Sequence, residues 1–275
     1  MSPDQLANNV TSGDNGLWKT PATAQISYTR NGHDLIRKSE ENSFWFSHRL
    51  QCLSKVISNY PIDKTLDIGG GNGRFSLYLQ SLGIETVLVE PGDQGAAFAI
   101  NNGVKNVIHG SLKDADFRDH SFPSVVLLDV LEHIERDEEF LQEINRILQP
   151  EGKLIITVPA FQFLFSDFDK EVGHYRRYTL ADLTQKLNNS GFKVDYKTYF
   201  FSCLPIPLLV GRLFINKFRK KEKRKSTGHL NKTGILGKIL GVILWPEQIL
   251  IKNKIRIPFG SSCLMIVSKS ETHER

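Results

Sequence analysis

The sequence predicts a doubly wound α/β fold, a mostly parallel sheet of seven strands with helices on both faces. Three observations predict it. Between Lys64 and Val158, short apolar runs alternate with stretches of helical periodicity. The runs are apolar at nearly every position, as in strands buried on both sides. The first of them opens through a glycine-rich turn directly into a helix.

Taken in order, residues 1–33 are polar, rich in Asn, Ser, Thr and Gly, and read as a flexible lead-in. Over 34–58, Leu35, Ile36, Phe44, Phe46, Leu50, Leu53 and Ile57 recur at helical intervals, which predicts a helix ahead of the sheet. KTLDI (64–68), ETVLVE (85–90), KNVIH (105–109), SVVLLD (124–129) and GKLIITV (152–158) are the first five strands. Helices are expected over 73–81, around 95–101 and over 137–148. Thr179 followed by Asp182 has the spacing of a capping box and opens a helix that stops at Gly191. FKVDYKTY (192–199) and SCLMIVS (262–268) complete the sheet, the last strand antiparallel. Residues 34–200 and 260–270 thus form the main domain, and 200–259 are an insertion that the core topology does not require.

The chain has 275 residues, 40% of them hydrophobic and 24% charged, as in an ordinary globular protein. Cys52, Cys203 and Cys263 are odd in number and far apart, so neither a disulfide framework nor a zinc cluster is expected. With no basic flank and apolar run at the N-terminus, a cytoplasmic location is expected. The net charge of +5 is local in origin. From Arg212 to Lys225 there are eight basic residues against one acid, Glu222, a local +7, which leaves −2 for the rest of the chain.

The turn after the first strand reads Asp67-Ile68-Gly69-Gly70-Gly71-Asn72-Gly73. A strand, glycine turn and helix aim free N–H groups and a positive helix end at a ligand above them. Gly69, Gly71 and Gly73 alternate and position 74 is Arg, so the Gly-x-Gly-x-x-Gly fingerprint of NAD sites is not met. An acid two residues before the first glycine would repel a pyrophosphate. It suits a ligand carrying an ammonium and a sulfonium, as S-adenosylmethionine (SAM) does. Glu90 ends the second strand, where an acid in this fold binds ribose hydroxyls.

LDIGGGNGRF resembles the first motif of class I SAM-dependent methyltransferases. DVLEHI (129–134) is similar to the matching motif of the ubiquinone-biosynthesis O-methyltransferase type. LQPEGKLIITVP resembles the same family's entry into its fifth strand, with Glu151 where a glycine is usual. The resemblance covers residues 64–200 and implies a Rossmann-like methyltransferase fold and SAM as cofactor. It implies that Gly69 and Gly71 approach the methionyl part of SAM, Asp67 its ammonium and Glu90 the ribose. Ser111 and Leu112 would lie at the adenine, and Asp129 and Val130 at the floor of the pocket.

Methyl transfer from a sulfonium is an in-line displacement, and a base is needed only for a protonated acceptor. His133 and His174 both follow strands on the carboxyl edge, where doubly wound folds bind ligands, and are the catalytic candidates. The stretch 166–179, which resembles a loop of bacterial methyltransferases linked to polysaccharide or lipid-linked glycan pathways, also carries Asp167, Asp169, Arg176, Arg177 and Tyr178. The last three are candidate binders of an anionic substrate; the plainer reading is that the arginines fix the loop by ion pairing. No metal is expected there. Trp45, in an aromatic cluster over 44–46, would belong to an N-terminal helical lid, or to a helix simply packed on the sheet.

The insertion holds two apolar stretches, 199–215 and 234–251, around the basic run. That pattern suits peripheral attachment to the inner face of an anionic membrane, at about 1 kcal/mol per basic residue near the surface. A packed helical subdomain or a homodimer face are the alternatives. Of the aromatics, only Phe214 and Phe218 fall within the basic run, and nucleic acid is not expected as a partner. The function read from the sequence is methyl transfer from SAM to an oxygen, before carbon or nitrogen, of a small or lipid-linked acceptor. The alternatives are a quinone or phenol O-methyltransferase and a non-catalytic SAM-binding membrane protein.

Overall fold

A computed structural model describes residues 2–21, 44–205 and 235–270. Its sheet comprises β1 (Thr11–Ser12), β2 (Leu17–Lys19), β3 (Lys64–Ile68), β4 (Glu85–Glu90) and β5 (Asn106–His109). β6 (Phe122–Leu128), β7 (Leu148–Pro159), β8 (Phe192–Phe200) and β9 (Ser262–Lys269) complete it. The order is β1-β2-β5-β4-β3-β6-β7-β9-β8. From β2 to β7 all neighbours are parallel, and β9 runs antiparallel between β7 and β8. Six of the seven expected strands lie within two residues of their expected bounds, and β7 begins four residues before the expected start at Gly152.

The sheet has nine strands among the described residues, not seven, and the lead-in is structured over 2–21. β2 pairs with β5, Trp18 opposite Ile108, and β1 folds back on β2. Leu6 and Ala7 are buried, and Leu6 accepts from the Arg118 N–H. The physical reason is edge protection: without β2, a flat apolar strand would present its unpaired N–H and C=O groups to solvent. Two and three residues amid polar neighbours give too short an alternation to read as strands.

Helices α1 (Phe44–Asn59), α2 (Arg74–Ser81), α3 (Asp93–Asn101) and α4 (Leu112–Ala115) precede β6. After it come α5 (Asp137–Ile147), α6 (Asp167–Glu171), α7 (Leu180–Asn189) and α8 (Ile235–Lys252). On one face of the sheet, Leu141 and Ile144 of α5 and Leu183 and Leu187 of α7 close a core against Val125, Leu154 and Val267. On the other, Leu53 and Val56 of α1, Leu79 of α2 and Leu244 and Ile251 of α8 pack on Val126, Ile155 and Leu264. The insertion therefore returns to the domain: α8 lies along α1. Its Glu247 meets His48 at 2.8 Å and accepts from the Phe201 N–H at 2.8 Å and the Ser202 N–H at 2.5 Å.

Candidate cofactor and acceptor site

Every expected site residue but Trp45 lies on or just beyond the carboxyl ends of the parallel strands. Asp67 and Ile68 finish β3, and Gly69 turns the chain at φ +67°. A Cβ on Gly69 would stand 2.7 Å from Val130 Cγ2, so the glycine lets the loop after β6 close on the turn after β3. Gly71, at φ +55°, differs: a Cβ there would meet nothing within 4 Å, so its backbone faces open space. Gly73 caps α2 in the left-handed conformation.

Beneath this turn lie two acids. Ser76 Oγ donates to Asp67 Oδ2 at 2.6 Å. Glu90 accepts from the Gly71 N–H at 2.9 Å and the Gly92 N–H at 2.7 Å, which ties the end of β4 to the middle of the turn. Burial pushes Asp67 up to about 6, against the Ser76 bond and the Arg49 charge. Burial pushes Glu90 up to about 7, against its two backbone bonds, with the Asp67 charge adding to the rise. Two buried carboxylates bonded to a hydroxyl and amides, beside backbone open to solvent, suit a cationic nucleoside and oppose a phosphate. The donor set fits SAM.

Around the turn, Val130 and Asp129 follow β6. Asp129 sits at φ +54° and accepts from Thr157 Oγ1 at 2.9 Å. Its other oxygen pairs with Arg49 Nη1 at 2.8 Å, which brings α1 over the carboxyl edge. Ser111 caps α4 and donates to Asp114 at 2.6 Å, while the Leu112 side chain enters the core. Trp45 lies flat on Phe201, ring centroids 3.7 Å apart, so it packs α1 to the body.

On the acceptor side, His133 and His174 meet edge to face at 4.6 Å. His174 Nδ1 lies 3.0 Å from Asp169 Oδ1, and its Nε2 lies 3.9 Å from Glu132 Oε1. Ligand atoms of Glu132, His133 and His174 all lie within 4.8 Å of one another, close enough to share a proton or hold a cation. Burial pushes His133 down to about 4, and the His174 charge adds to that. Burial, with the Asp129 charge, pushes Glu132 well above the carboxylate range, and its Oε2 is buried without a hydrogen-bond partner.

Arg177 grips Asp169 with Nε at 2.8 Å and Nη2 at 3.1 Å. Arg176 donates to Asp137 at 2.9 Å and to the Glu135 carbonyl at 2.8 Å. Tyr178 is buried, its hydroxyl donating to Asp137 at 2.9 Å. The three residues expected to touch substrate thus spend their polar groups on the protein in this conformation, Arg177 on Asp169 within the loop and Arg176 and Tyr178 on Asp137 at the start of α5.

Sequence reasoning missed Arg49, Ser76 and Glu132 as parts of the site. Ser76 lies three residues into the helix after Gly73, facing back under the turn, and Arg49 was visible only as one charge in an aromatic cluster. It also missed the ring cluster of Phe161, Phe163 and Phe259, whose centroids lie 5.0–5.2 Å from that of Phe161.

Comparison with known proteins agrees with this geometry. Residues 66–156 match the family model described as a methyltransferase domain. A probable S-adenosylmethionine-dependent methyltransferase of Mycolicibacterium smegmatis is 31% identical over 168 residues, 60% of this chain and 65% of that protein. The mitochondrial ubiquinone biosynthesis O-methyltransferase of Schizosaccharomyces pombe is 29% identical over 122 residues, 40% of this chain and 44% of its own. The chain therefore spans less than two thirds of these curated relatives. Phosphoethanolamine N-methyltransferase 2 of Haemonchus contortus, solved with SAM, has the same fold at 19% identity and a TM-score of 0.58, covering 90% of this chain and 59% of its own. Residues 66–156 thus match a methyltransferase domain, and the chain is similar to S-adenosylmethionine-dependent methyltransferases.

Proposed function

We propose that this protein transfers a methyl group from SAM to an oxygen of a small or lipid-linked acceptor, with His174 as general base. The observation that carries the reading is the Asp169–His174 contact at 3.0 Å beside Glu132 and His133, on the same strand edge as the glycine turn. When bound, SAM supplies a sulfonium methyl group open to in-line displacement. Gly69 and Gly71 would line its amino-acid end, Asp67 and Glu90 would answer its ammonium and ribose, Val130 would close the floor, and Ser111 and Leu112 would border the adenine.

Asp169 accepts the Nδ1 proton of His174 and so leaves Nε2 free to take one from an acceptor hydroxyl. Asp169 itself resists protonation: although burial pushes it up, bonds from His174 and Arg177 hold it well below its usual range. His133, uncharged at neutral pH, puts no second positive charge against proton uptake by His174. The exposed rings of Phe163 and Phe259, packed on Phe161, offer an apolar surface for the acceptor. That surface, and the relatives named as ubiquinone biosynthesis O-methyltransferases, support a second reading with a quinone-like phenol as acceptor.

The test is transfer of a tritiated methyl group from SAM into cell lipid and glycan extracts, with a dihydroxyphenyl compound in parallel. Wild type is expected to label one of them, and His174→Ala to lower the rate by about 10² to 10⁴-fold with SAM affinity unchanged. Bound SAM with no labelled product in any arm would contradict transferase activity and leave a SAM-binding partner protein.

A further inference from the structure

We infer that α8 is an in-plane docking helix that seats the protein on an anionic lipid bilayer. The helix is apolar on both sides. One side is built into the domain: Leu244 and Ile251 are buried, and Glu247 is held between His48 and the Phe201 and Ser202 amides. The other side presents Ile239, Val242, Ile243, Trp245 and Ile249, with Val242 74% and Trp245 58% exposed. On the helical wheel these residues and Pro246 fall on the arc opposite Leu244 and Glu247, an arc that by sequence also carries Lys238 and is edged by Lys252. A soluble helix normally turns a polar face to water; an apolar one needs a cover.

Charge identifies the cover. The exposed Lys252, Lys254 and Arg256 follow the helix directly, and the run of eight basic residues between Arg212 and Lys225 precedes it in sequence. An apolar surface followed at once by three exposed cations matches a bilayer bearing anionic headgroups and suits neither an uncharged protein face nor a second copy with the same positive flank. The helix lies on the membrane and does not cross it. Among the described residues no helix is long and apolar enough to span, and the buried His48–Glu247 contact holds α8 to the domain along one side. A recess of about 600 Å³ between α1 and α8, bordered by Ser47, Gln51 and Gln248 as well as Phe44, Val242 and Trp245, opens beside the same face. The inference does not depend on the methyl-transfer reading.

The experiment is co-sedimentation of the full chain with vesicles of phosphatidylcholine containing about one third phosphatidylglycerol, against pure phosphatidylcholine. Wild type is expected to bind the anionic vesicles, less so in high salt, and the double substitution Ile239→Glu, Val242→Glu to weaken binding about tenfold or more while keeping SAM affinity. Should that variant fold poorly, quenching by brominated lipid decides: fluorescence quenched in wild type and unquenched in Trp245→Phe supports the seat. No binding to anionic vesicles, equal binding by the folded double variant, or unchanged quenching in Trp245→Phe overturns it. So does a wild-type dimer that ignores vesicles and dissociates on the double substitution, which would assign the face to a second copy.

Discussion

Asp67 and Glu90 on one side of the site, and Asp137 and Asp169 on the other, all have little surface open to water, at 1% and 5% against 3% and 0% exposure, but the first pair lies deeper in the protein. Their acidities nevertheless move in opposite directions. The first pair is pushed up by burial, because a hydroxyl and backbone amides are its bonded partners. The second is held down in spite of burial, because Lys186 and Tyr178 bond to Asp137, and His174 and Arg177 to Asp169. Depth of burial and the charge of the partners together set the state of a carboxylate. The acceptor loop has internal cations and is complete as it stands. The glycine turn lacks them, and its pair of acids is completed by a positively charged ligand.

The largest effect should come from breaking the completed side. Asp169→Ala leaves Arg177 buried without its partner and unties His174 and Ser166, and is expected to cost about 3–5 kcal/mol, measured by urea unfolding. A loss below about 1 kcal/mol, the level of an exposed pair, would mean that the loop is not held by this acid. On the other side, Asp67→Asn is expected to change the stability of the ligand-free protein far less, because no cation is left unpaired; the same unfolding measurement decides. A loss equal to that of Asp169→Ala would erase the contrast.

The smallest effect is a slope with pH. In the folded protein Glu90 keeps its proton up to about pH 7, while the unfolded chain releases it near 4.5. Between those values the folded state binds more protons, so the stabilisation present below 4.5 is lost as pH rises to 7. Glu90→Gln should flatten that part of the stability profile of the ligand-free protein. An unchanged slope would show that Glu90 titrates as an ordinary carboxylate.

Much of this contrast was legible in the sequence, and the reasons are local. Asp67, Gly69, Gly71 and Glu90 are placed by strand ends and one short turn, so their spacing along the chain fixes their position. The same holds for His133, five residues past β6, whereas His174 lies fifteen residues past β7 and is brought back by the fold of its loop. What was not legible depends on contacts distant in sequence. Arg49 reaches Asp129 across 80 positions, and Glu247 reaches His48 across 199. The arginines of the 166–179 stretch stood out as charges near a ligand site, but only the fold reveals Asp137 and Asp169 beside them. The edge strands β1 and β2 were too short to carry a period. The basic run and the apolar stretch before it, over 206–234, lie outside the described residues.

Calorimetry of SAM binding to the full chain at neutral pH tests the central claim, that two buried acids under an open glycine turn are built for a cationic nucleoside. Saturable binding in wild type, weakened at least tenfold, or about 1.4 kcal/mol, in Glu90→Ala is the expected result. Absence of binding to SAM and to its demethylated product, or full affinity retained by Glu90→Ala, would contradict it.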